Sequence, residues 1–332
     1  MNLDAAIPTP HPRWTAPLRS PALWLFVVLA LVPIAGKFGA ESYVLNLGAR
    51  VLVFAVAALS LDFILGQGAL ISFGHAAYLG IGAYAVAMLS AWGCQDLFIQ
   101  LAAAIGAAAL FALLTGAVSL RARGVYYIMS TLAFGQMLYF FAVSLSAFGG
   151  DDGVTLSARS RIFGAPLLDS DIAFYYAALM VLIGGYALTA RLVESRFGRV
   201  LGAVRQNPLR VRAVGLRPFG YQLVACVIAA ALCATAGVLL ANQNEFVSPA
   251  FMTWQRSGDL LVMVIVGGIG TLWGAILGAI AYLMLEEVLS GFSEHWRLIL
   301  GALLILAALT GRQGLAGLVN RALGLRNGGN RA

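Results

Sequence analysis

The chain has 332 residues, of which 61% are hydrophobic and only 11% are charged, whereas soluble globular domains carry about 25% charged residues. This composition excludes an ordinary water-soluble fold. A formal net charge of +7 is compatible with nucleic-acid binding, but the basic residues stand in short loops and tails beside apolar runs, where Lys and Arg set the topology of a membrane protein.

Long apolar runs follow one another along the chain, each of the length that a hydrocarbon core of about 30 Å requires. Because backbone groups in lipid must be satisfied within helices or closed barrels, the runs predict an all-α fold, a polytopic transmembrane helical bundle of about 8–10 spans. The runs cover residues 22–39, 43–65, 69–92, 97–120, 125–148, 172–193, 221–241, 259–290 and 296–311.

The run at 259–290 breaks the alternation of sides, because a single crossing there would leave the basic C-terminal tail outside. Its middle, Val266 to Thr271, holds clustered glycines, which permit an interrupted helix where the backbone is buried in protein or lines a cavity. We therefore predict two short half-helices around Gly267 to Gly270. A similar Gly-rich stretch at 66–84 suggests an internal repeat, although small residues also simply let helices pack closely.

The orientation follows from the basic residues, which are retained on the cytoplasmic side. The Arg-containing segments 121–124 and 194–220 are then cytoplasmic, and the Asp- and Gly-rich segment 149–171 is external. With this assignment of the loops, the N- and C-termini both lie in the cytoplasm. The predicted organisation is a Pro-rich cytoplasmic leader at 1–21, a transmembrane domain at 22–311 and a basic cytoplasmic tail at 312–332.

Three stretches, taken together and in this order, carry a resemblance to a known family. The first, at 66–84, reads GQGALISFGHAAYLGIGAY; the second reads SRFGR at 195–199 with AVR at 203–205; the third reads GGIGTLWG at 267–274. With these stretches the chain resembles, from about Leu61 to Leu318, the permease subunit of the branched-chain amino acid ABC importers.

The resemblance implies a permease subunit in the bacterial inner membrane, which forms the translocation path of an ATP-driven importer with a second homologous permease and works by alternating access. It also implies cytoplasmic ATP-binding subunits and a periplasmic solute-binding protein as partners. ATP is then used by the partner subunits, and this chain binds no cofactor and is no enzyme. The chain has no Gly-rich P-loop that ends in Gly-Lys-Ser or Gly-Lys-Thr, which agrees with this division. The implied substrate is a branched-chain amino acid or a related small polar solute; relatives of similar sequence also handle urea, short amides and aromatic acids.

The first Gly-rich stretch contains His75, the only histidine within a predicted span. An imidazole there can bind a metal, shuttle a proton or satisfy a carbonyl. No second ligand stands at a suitable spacing, so we favour a packing role and predict no metal site. The resemblance places this stretch near the translocation path. The candidate pathway residues are Phe73, Gly74, His75, Tyr78, Gly267, Gly268, Gly270 and Thr271.

The cytoplasmic segment 194–220 contains a predicted short helix that lies along the membrane, because Pro208 is typical of a helix start and Gly215 of a helix end. The resemblance implies that this region docks in a cleft of the ATP-binding subunit. The family has acidic and alanine residues where Pro208, Arg210 and Arg212 stand here, which leaves the contact chemistry open. The alternative is a solvated basic loop that only fixes topology. The candidate coupling residues are Arg205, Pro208, Arg210, Arg212, Ala213 and Gly215.

The external stretch that begins at Gly149 carries two adjacent carboxylates, which can bind a cation, a substrate ammonium group or a basic patch on a partner. The spacing does not match a calcium-binding loop of the EF-hand type. A turn kept soluble by Asp and Gly is the simpler alternative. The resemblance favours a docking surface for the solute-binding protein, formed by Gly149, Gly150, Asp151, Asp152 and Gly153.

Two other classes of membrane protein compete with this interpretation. An ion-coupled secondary transporter also uses broken Gly-rich helices, but it usually places ionisable residues within the spans, and here such residues are few and stand near span ends. An intramembrane enzyme needs a nucleophile and a base or a metal set, and His75 has no evident partner, so we predict no catalytic residue. The three cysteines are interpreted as packing residues: Cys94, Cys226 and Cys233.

Overall fold

The computed structural model of the chain describes residues 21–36, 41–292, 295, 298–302 and 314–322, and these residues form the predicted all-α bundle. The helices are α1 (Pro21–Gly36), α2 (Glu41–Gly68), α3 (His75–Ala91), α4 (Leu97–Ser119), α5 (Val125–Ser144), α6 (Asp171–Glu194), α7 (Arg196–Gln206), α8 (Pro208–Ala213), α9 (Pro218–Asn244), α10 (Trp254–Gly267), α11 (Trp273–Phe292) and α12 (Gly314–Ala322). Short 3-10 helices cover Ser146–Phe148 and Pro249–Met252. In this described part of the chain, six helices are long and apolar enough to cross a membrane: α2, α4, α5, α6, α9 and α11.

Helix α2 is the centre of the bundle, because every residue from Val51 to Leu65 is buried. Helices α6, α9, α10 and α11 pack around it. Helix α3 crosses α9 so closely that a side chain at Gly82 would collide with the carbonyl group of Ala234. Glycines of this kind let two helix backbones approach each other within a membrane.

Helix α4 packs on α9 through a seam of small residues. Ala104, Ala108 and Ala112 repeat at a spacing of four and are fully buried, so they lie on one face of the helix. The opposite face exposes large apolar side chains, among them Leu110 and Leu114. A helix with one small-residue face and one apolar exposed face suits the periphery of a membrane protein.

A non-helical segment at 69–74, which we call the first break, separates α2 from α3. The Gly-rich stretch at 66–84 is therefore interrupted, and α3 begins at His75, whereas the sequence predicts a span from about 69. Ala69 takes a φ of 52°, outside the helical region. The N–H groups of Ala69 and Leu70 donate to carbonyls of the last turn of α2, at 3.1 Å and 3.3 Å, so the helix is closed there.

A second non-helical segment, at 268–272, separates α10 from α11, and we call it the second break. The predicted interruption of the run 259–290 is confirmed, since Gly268 and Gly270 turn the chain with φ values of 113° and 79°. Helix α10 has 14 residues, but α11 has 20 and is long enough to span, so the expectation of two short half-helices was wrong for α11. The internal repeat stays a prediction.

A small antiparallel pair of strands lies at the end of the bundle that the sequence predicts to be external. Strand β1 (Val154–Thr155) pairs with β2 (Phe246–Val247), so the segment after α5 is joined to the end of α9. Arg159 strengthens this junction, because its guanidinium lies 2.9 Å from a carboxylate oxygen of Asp171 and 3.1 Å from one of Glu245. The sequence alone did not predict these strands.

Several predicted segments lie wholly or partly outside the described residues: 1–20 of the leader, most of the run 296–311 and most of the tail 312–332. The number of crossings between 259 and 311 therefore stays a prediction beyond α11. In the tail, α12 packs against α10 and α11. Gly314, the first residue of α12, lies against the backbone of Gly268 in the second break.

Candidate functional site

An open cleft of about 500 Å³ lies beside the first break. Its walls are the first break, the turn between α4 and α5, the α7–α8 region and the first turn of α9. Three arginines on its wall give it a positive rim, so we call it the basic cleft. It is lined by Gly68, Ala69, Leu70, Ile71, Leu120, Arg121, Ala122, Arg123, Gly124, Tyr127, Ile128, Val204, Pro208, Arg212, Pro218, Phe219 and Gln222.

A second, much smaller cavity, of about 20 Å³, borders Ser72 and Gly74 at the end of the first break. Such a volume has room for about one water molecule. Six of its lining side chains carry hydroxyl groups, so we call it the hydroxyl cavity. It is lined by Ser72, Tyr78, Thr115, Ser119, Tyr127, Thr131, Ile64, Gly74, Phe111, Gly116, Phe134, Gly135 and Cys226.

Three side chains pack together where the two cavities approach each other, and we call them the Leu70 cluster: Leu70, Tyr127 and Cys226. Their exposed fractions are 8%, 6% and 6%, and they form a buried group separate from the two larger cores of the described bundle. Tyr127 lines both cavities. Its hydroxyl lies 3.9 Å from the sulfur of Cys226, a long and weak hydrogen bond.

Four of the predicted pathway residues belong to the first break or the start of α3. Gly74 and Tyr78 line the hydroxyl cavity, and the N–H of Phe73 donates to Thr131 Oγ1 at 3.3 Å. His75 is fully buried, with its Nε2 atom 2.8 Å from Ser60 Oγ. This geometry favours the packing role of His75 over contact with a solute, while a pathway role for the segment stays a prediction.

The other four predicted pathway residues surround a buried carboxylate in the second break. Asp62 of α2 is fully buried and accepts hydrogen bonds from the N–H of Gly270 at 2.6 Å and from the N–H of Leu272 at 2.9 Å. Thr271 Oγ1 donates to the carbonyl of Gly268 at 2.6 Å. Gly267 packs on the backbone of Gly274. The second break is therefore filled by protein, whereas the first break borders two cavities.

Arg205 joins the surface helices to both breaks. It stands on α7, and its Nη1 atom donates to the carbonyl of Gly66, in the last turn of α2. Gly66 and Gly270 are packed backbone to backbone, so that a side chain at Gly66 would collide with Gly270. Arg205 thus contacts α2 at Gly66, where α2 meets the second break. Gly66 also precedes Leu70 of the first break by four residues.

The predicted cytoplasmic segment 194–220 contains two helices, α7 and α8, where the sequence predicted one. The predicted ends of α8 are confirmed. Pro208 is its first residue and Asn207 Oδ1 caps it by accepting from the N–H groups of Leu209 and Arg210, at 3.0 Å and 3.2 Å. Gly215, with a φ of 86°, follows the end of α8, and the N–H of Gly215 donates to the carbonyl of Arg212 at 2.9 Å.

The candidate coupling residues therefore divide between two helices. Arg205 is on α7, and Pro208, Arg210, Arg212 and Ala213 are on α8, followed by Gly215. Arg210, Arg212, Ala213 and Gly215 are exposed. Their role in coupling stays a prediction, but α8 presents a basic surface that a partner can reach.

The candidate docking residues form a tight turn before β1. Gly149, Gly150 and Gly153 all have positive φ values, and the N–H of Gly153 donates to the carbonyl of Gly149 at 3.2 Å. The side chains of Asp151 and Asp152 are exposed on this turn. The geometry is compatible both with a soluble turn and with a docking surface, which stays a prediction.

Two residues that join distant segments in the structure did not emerge from the sequence: Asp62 and Arg159. Asp62 stands near the end of an apolar run, yet an ionisable residue within a membrane helix is by default a site of interest, and that signal was available. Arg159 lies in a polar segment, where nothing in the sequence marks its ion-pair partners. In the described part of the chain, no group of three His, Cys, Asp or Glu side chains is placed to hold a metal ion.

Comparison with known proteins gives a consistent result. A family model described as a branched-chain amino acid transport system permease component matches residues 43–308. The chain is 28% identical to the high-affinity branched-chain amino acid transport system permease protein LivM of Escherichia coli strain K12, over 92% of this chain and 77% of the relative. It is 27% identical to LivM of Salmonella typhimurium, over 91% of this chain and 76% of the relative.

The chain also matches LivH of Escherichia coli strain K12, a permease protein of the same description, at 25% identity over 50% of this chain and 53% of the relative. No solved structure gives a significant match.

Proposed function

Because the chain belongs to the family of permease components of branched-chain amino acid transport systems, we propose that it is the membrane permease subunit of an ATP-driven importer. Membership of this family makes the chain a multi-pass transport protein of the membrane. The proposed cycle is alternating access, in which ATP bound and hydrolysed by partner subunits shifts the permease between two states. A shift of this kind requires that the nucleotide state of the partners favours one conformation over the other.

A second permease subunit is the first proposed partner. The relatives include two differently named permease proteins, LivM and LivH, whose descriptions give the same transport system in Escherichia coli. We propose cytoplasmic ATP-binding subunits at α7–α8 and a periplasmic solute-binding protein at the turn that carries Asp151 and Asp152. The chain would then lie in the bacterial inner membrane with both termini in the cytoplasm.

The observation that carries the proposal is the contact of Arg205 with Gly66. An importer driven by ATP needs a surface element that receives a partner's movement and passes it to the membrane helices. Helix α7 ends at Gln206, and only Asn207 separates it from α8, so a push on exposed α8 acts on α7. Arg205 of α7 bonds to Gly66, and Gly66 adjoins both breaks. This connection supports ATP-driven transport over a channel.

The proposed substrate is a branched-chain amino acid or a related small polar solute. The printed descriptions of LivM and LivH support branched-chain amino acids. Urea, short amides and aromatic acids are the alternatives within the same type of importer. An ion-coupled secondary transporter is less well supported, because the buried carboxylate of Asp62 is occupied by two backbone N–H groups.

The test is uptake of radiolabelled leucine by proteoliposomes that contain this chain with its co-purifying partners. Internal ATP and an added solute-binding protein are each supplied or omitted. Uptake that needs both is the expected result. Uptake driven by an ion gradient without ATP would contradict the proposal, and competition by urea, amides or aromatic acids would change the substrate.

The orientation has its own test, by labelling single cysteines introduced at exposed positions. A cysteine in place of Asp152 is expected to react with an impermeant thiol reagent from outside the cell, and one in place of Arg210 only from inside. The reverse pattern would overturn the proposed topology.

A further inference from the structure

The Leu70 cluster separates two cavities that differ in size and chemistry. The basic cleft is about 500 Å³ in volume, whereas the hydroxyl cavity is only about 20 Å³. Leu70 lines only the former, Cys226 only the latter, and Tyr127 lines both. Tyr127 therefore belongs to the walls of both cavities, with Leu70 on the side of the cleft and Cys226 on the side of the hydroxyl cavity.

The two cavities together suit a small solute that carries a carboxylate and an apolar side chain. Arg121, Arg123 and Arg212 on the rim of the basic cleft attract a carboxylate. In the hydroxyl cavity, serine and threonine hydroxyls lie beside Phe111 and Phe134, which offer apolar surface. Thr115 and Thr131 donate to carbonyls of their own helices, at 2.8 Å and 2.9 Å, and Thr131 also accepts from the N–H of Phe73. Because a hydroxyl oxygen has two lone pairs, each can still accept a hydrogen bond from a solute ammonium group.

The cluster is held in a way that permits movement. Its members come from three different elements: the first break, α5 and α9. Leu70 stands on a non-helical segment directly after Ala69, a non-glycine residue with a φ of 52°, a sparsely populated conformation. The polar contact within the cluster is the long one between Tyr127 and Cys226, at 3.9 Å. A rearrangement of the first break therefore breaks no strong hydrogen bond inside the cluster.

Helices α7 and α8 contact the end of α2 and the basic cleft, close to the Leu70 cluster. Arg205 holds the carbonyl of Gly66, four residues before Leu70, and Val204, Pro208 and Arg212 of α7–α8 line the basic cleft itself. A movement of α7–α8 thus acts on the end of α2, from which the first break continues to Leu70.

We propose that Leu70, Tyr127 and Cys226 form a gate between the basic cleft and the hydroxyl cavity, closed in this structure, through which a small carboxylate-bearing solute passes. This inference rests on the proposed function, since a gate has a purpose only in a transport protein. Opening requires that Leu70 moves away from Tyr127 and Cys226. Cys226 is then the member whose exposure reports the open state.

The experiment uses Cys226 as a natural reporter. The full chain with its partners is reconstituted with Cys226 as its only cysteine, through Cys94→Ser and Cys233→Ala. The probe is anionic sulfonatoethyl methanethiosulfonate, added on the side from which a cysteine in place of Arg210 reacts, and modification of this chain is followed by mass spectrometry. Leu70→Ala is expected to raise the rate of Cys226 modification about tenfold or more, because a truncated side chain leaves a void beside the thiol.

Three further variants test whether the effect of Leu70→Ala on Cys226 modification is specific to the cluster. Leu70→Ile conserves the side-chain volume and is expected to leave the rate within about twofold. Tyr127→Ala opens the cluster from α5 and replaces Leu70→Ala if that chain does not insert. A chain that keeps only Cys233 is expected to stay unreacted with Leu70→Ala, because this fully buried thiol lies 3.6 Å from the carbonyl of His75.

The outcomes separate the gate from the proposed function. Equal, slow modification of Cys226 in the Leu70→Ala and Leu70→Ile chains would overturn the gate, as would modification of Cys233 at the same rate as Cys226. Leucine uptake is measured in the same vesicles. ATP-dependent uptake with an unreactive Cys226 contradicts only the gate, whereas a reactive Cys226 without any ATP-dependent uptake supports the gate and contradicts the ATP-driven function.

Discussion

The first break and the second break arise from similar glycine-rich stretches, but their surroundings differ. The first break borders the basic cleft and the hydroxyl cavity, and its residues meet apolar and hydroxyl side chains. The second break is filled by the carboxylate of Asp62, which binds the N–H groups of Gly270 and Leu272. Clustered glycines permit either arrangement. A break whose N–H groups bind a facing carboxylate is held in place, whereas a break without one is free to form the wall of a cavity.

We expect the two breaks to behave differently in the proposed transport cycle. Buried backbone N–H groups that lose a carboxylate partner are costly, so the second break is expected to keep its geometry. The first break has no charged hydrogen-bond partner among the described residues: the N–H groups of Ala69 and Leu70 donate to carbonyls of α2, and the N–H of Phe73 donates to the neutral hydroxyl of Thr131. It is therefore the segment expected to move.

Asp62→Ala is the largest expected perturbation, and it removes the acceptor of the second break. Two buried N–H groups would lose their acceptor, at about 1–3 kcal/mol each, so the free energy of unfolding in detergent is expected to fall by about 2–6 kcal/mol. Asp62→Asn keeps one acceptor oxygen and is expected to lose about half as much. The control is Asp151→Ala, on the exposed external turn. Equal stability of the Asp62→Ala and Asp151→Ala chains would contradict the claim that Asp62 stabilises the second break.

Gly66→Ala tests the close contact between α2 and the second break. The added methyl group would collide with the backbone of Gly270, and such overpacking typically costs about 1–3 kcal/mol. The matched control is Gly184→Ala in α6, where a methyl group meets open space and alanine favours the helix. The midpoints of thermal unfolding in detergent are compared, and a loss in the α6 variant as large as that at Gly66 would contradict the close packing.

Arg205→Met tests whether α7 acts on the breaks, and its effect on stability is expected to be the smallest, below about 1 kcal/mol for a largely exposed side chain. Leucine transported per ATP hydrolysed is expected to fall, because the contact with Gly66 is lost. Arg199→Met removes a charge from an exposed position on the same helix and serves as the control. An equal loss of coupling in both variants would mean that charge on α7, and not the contact with Gly66, matters.

Local sequence signals were sufficient for part of this architecture. The glycines at 267–270 predicted the interruption before α11, and Pro208 and Gly215 predicted the ends of α8, because each acts through its own backbone conformation. The late start of α3 and the role of Asp62 were missed, since both depend on elements far away in the chain: Gly74 lies against the carbonyl of Thr131, and Asp62 bonds to residues more than 200 positions later. The cavities beside the first break are likewise products of packing among α4, α5, α7, α8 and α9.

Hydrogen–deuterium exchange on the purified complex, with and without ATP trapped by vanadate, compares the two breaks most directly. We expect the amides at 70–74 to change their exchange rate with nucleotide state, while the amides of Gly270 and Leu272 stay protected by Asp62. A change at Gly270 and Leu272 as large as that at 70–74, or one confined to the second break, would contradict the assignment of the first break as the moving segment.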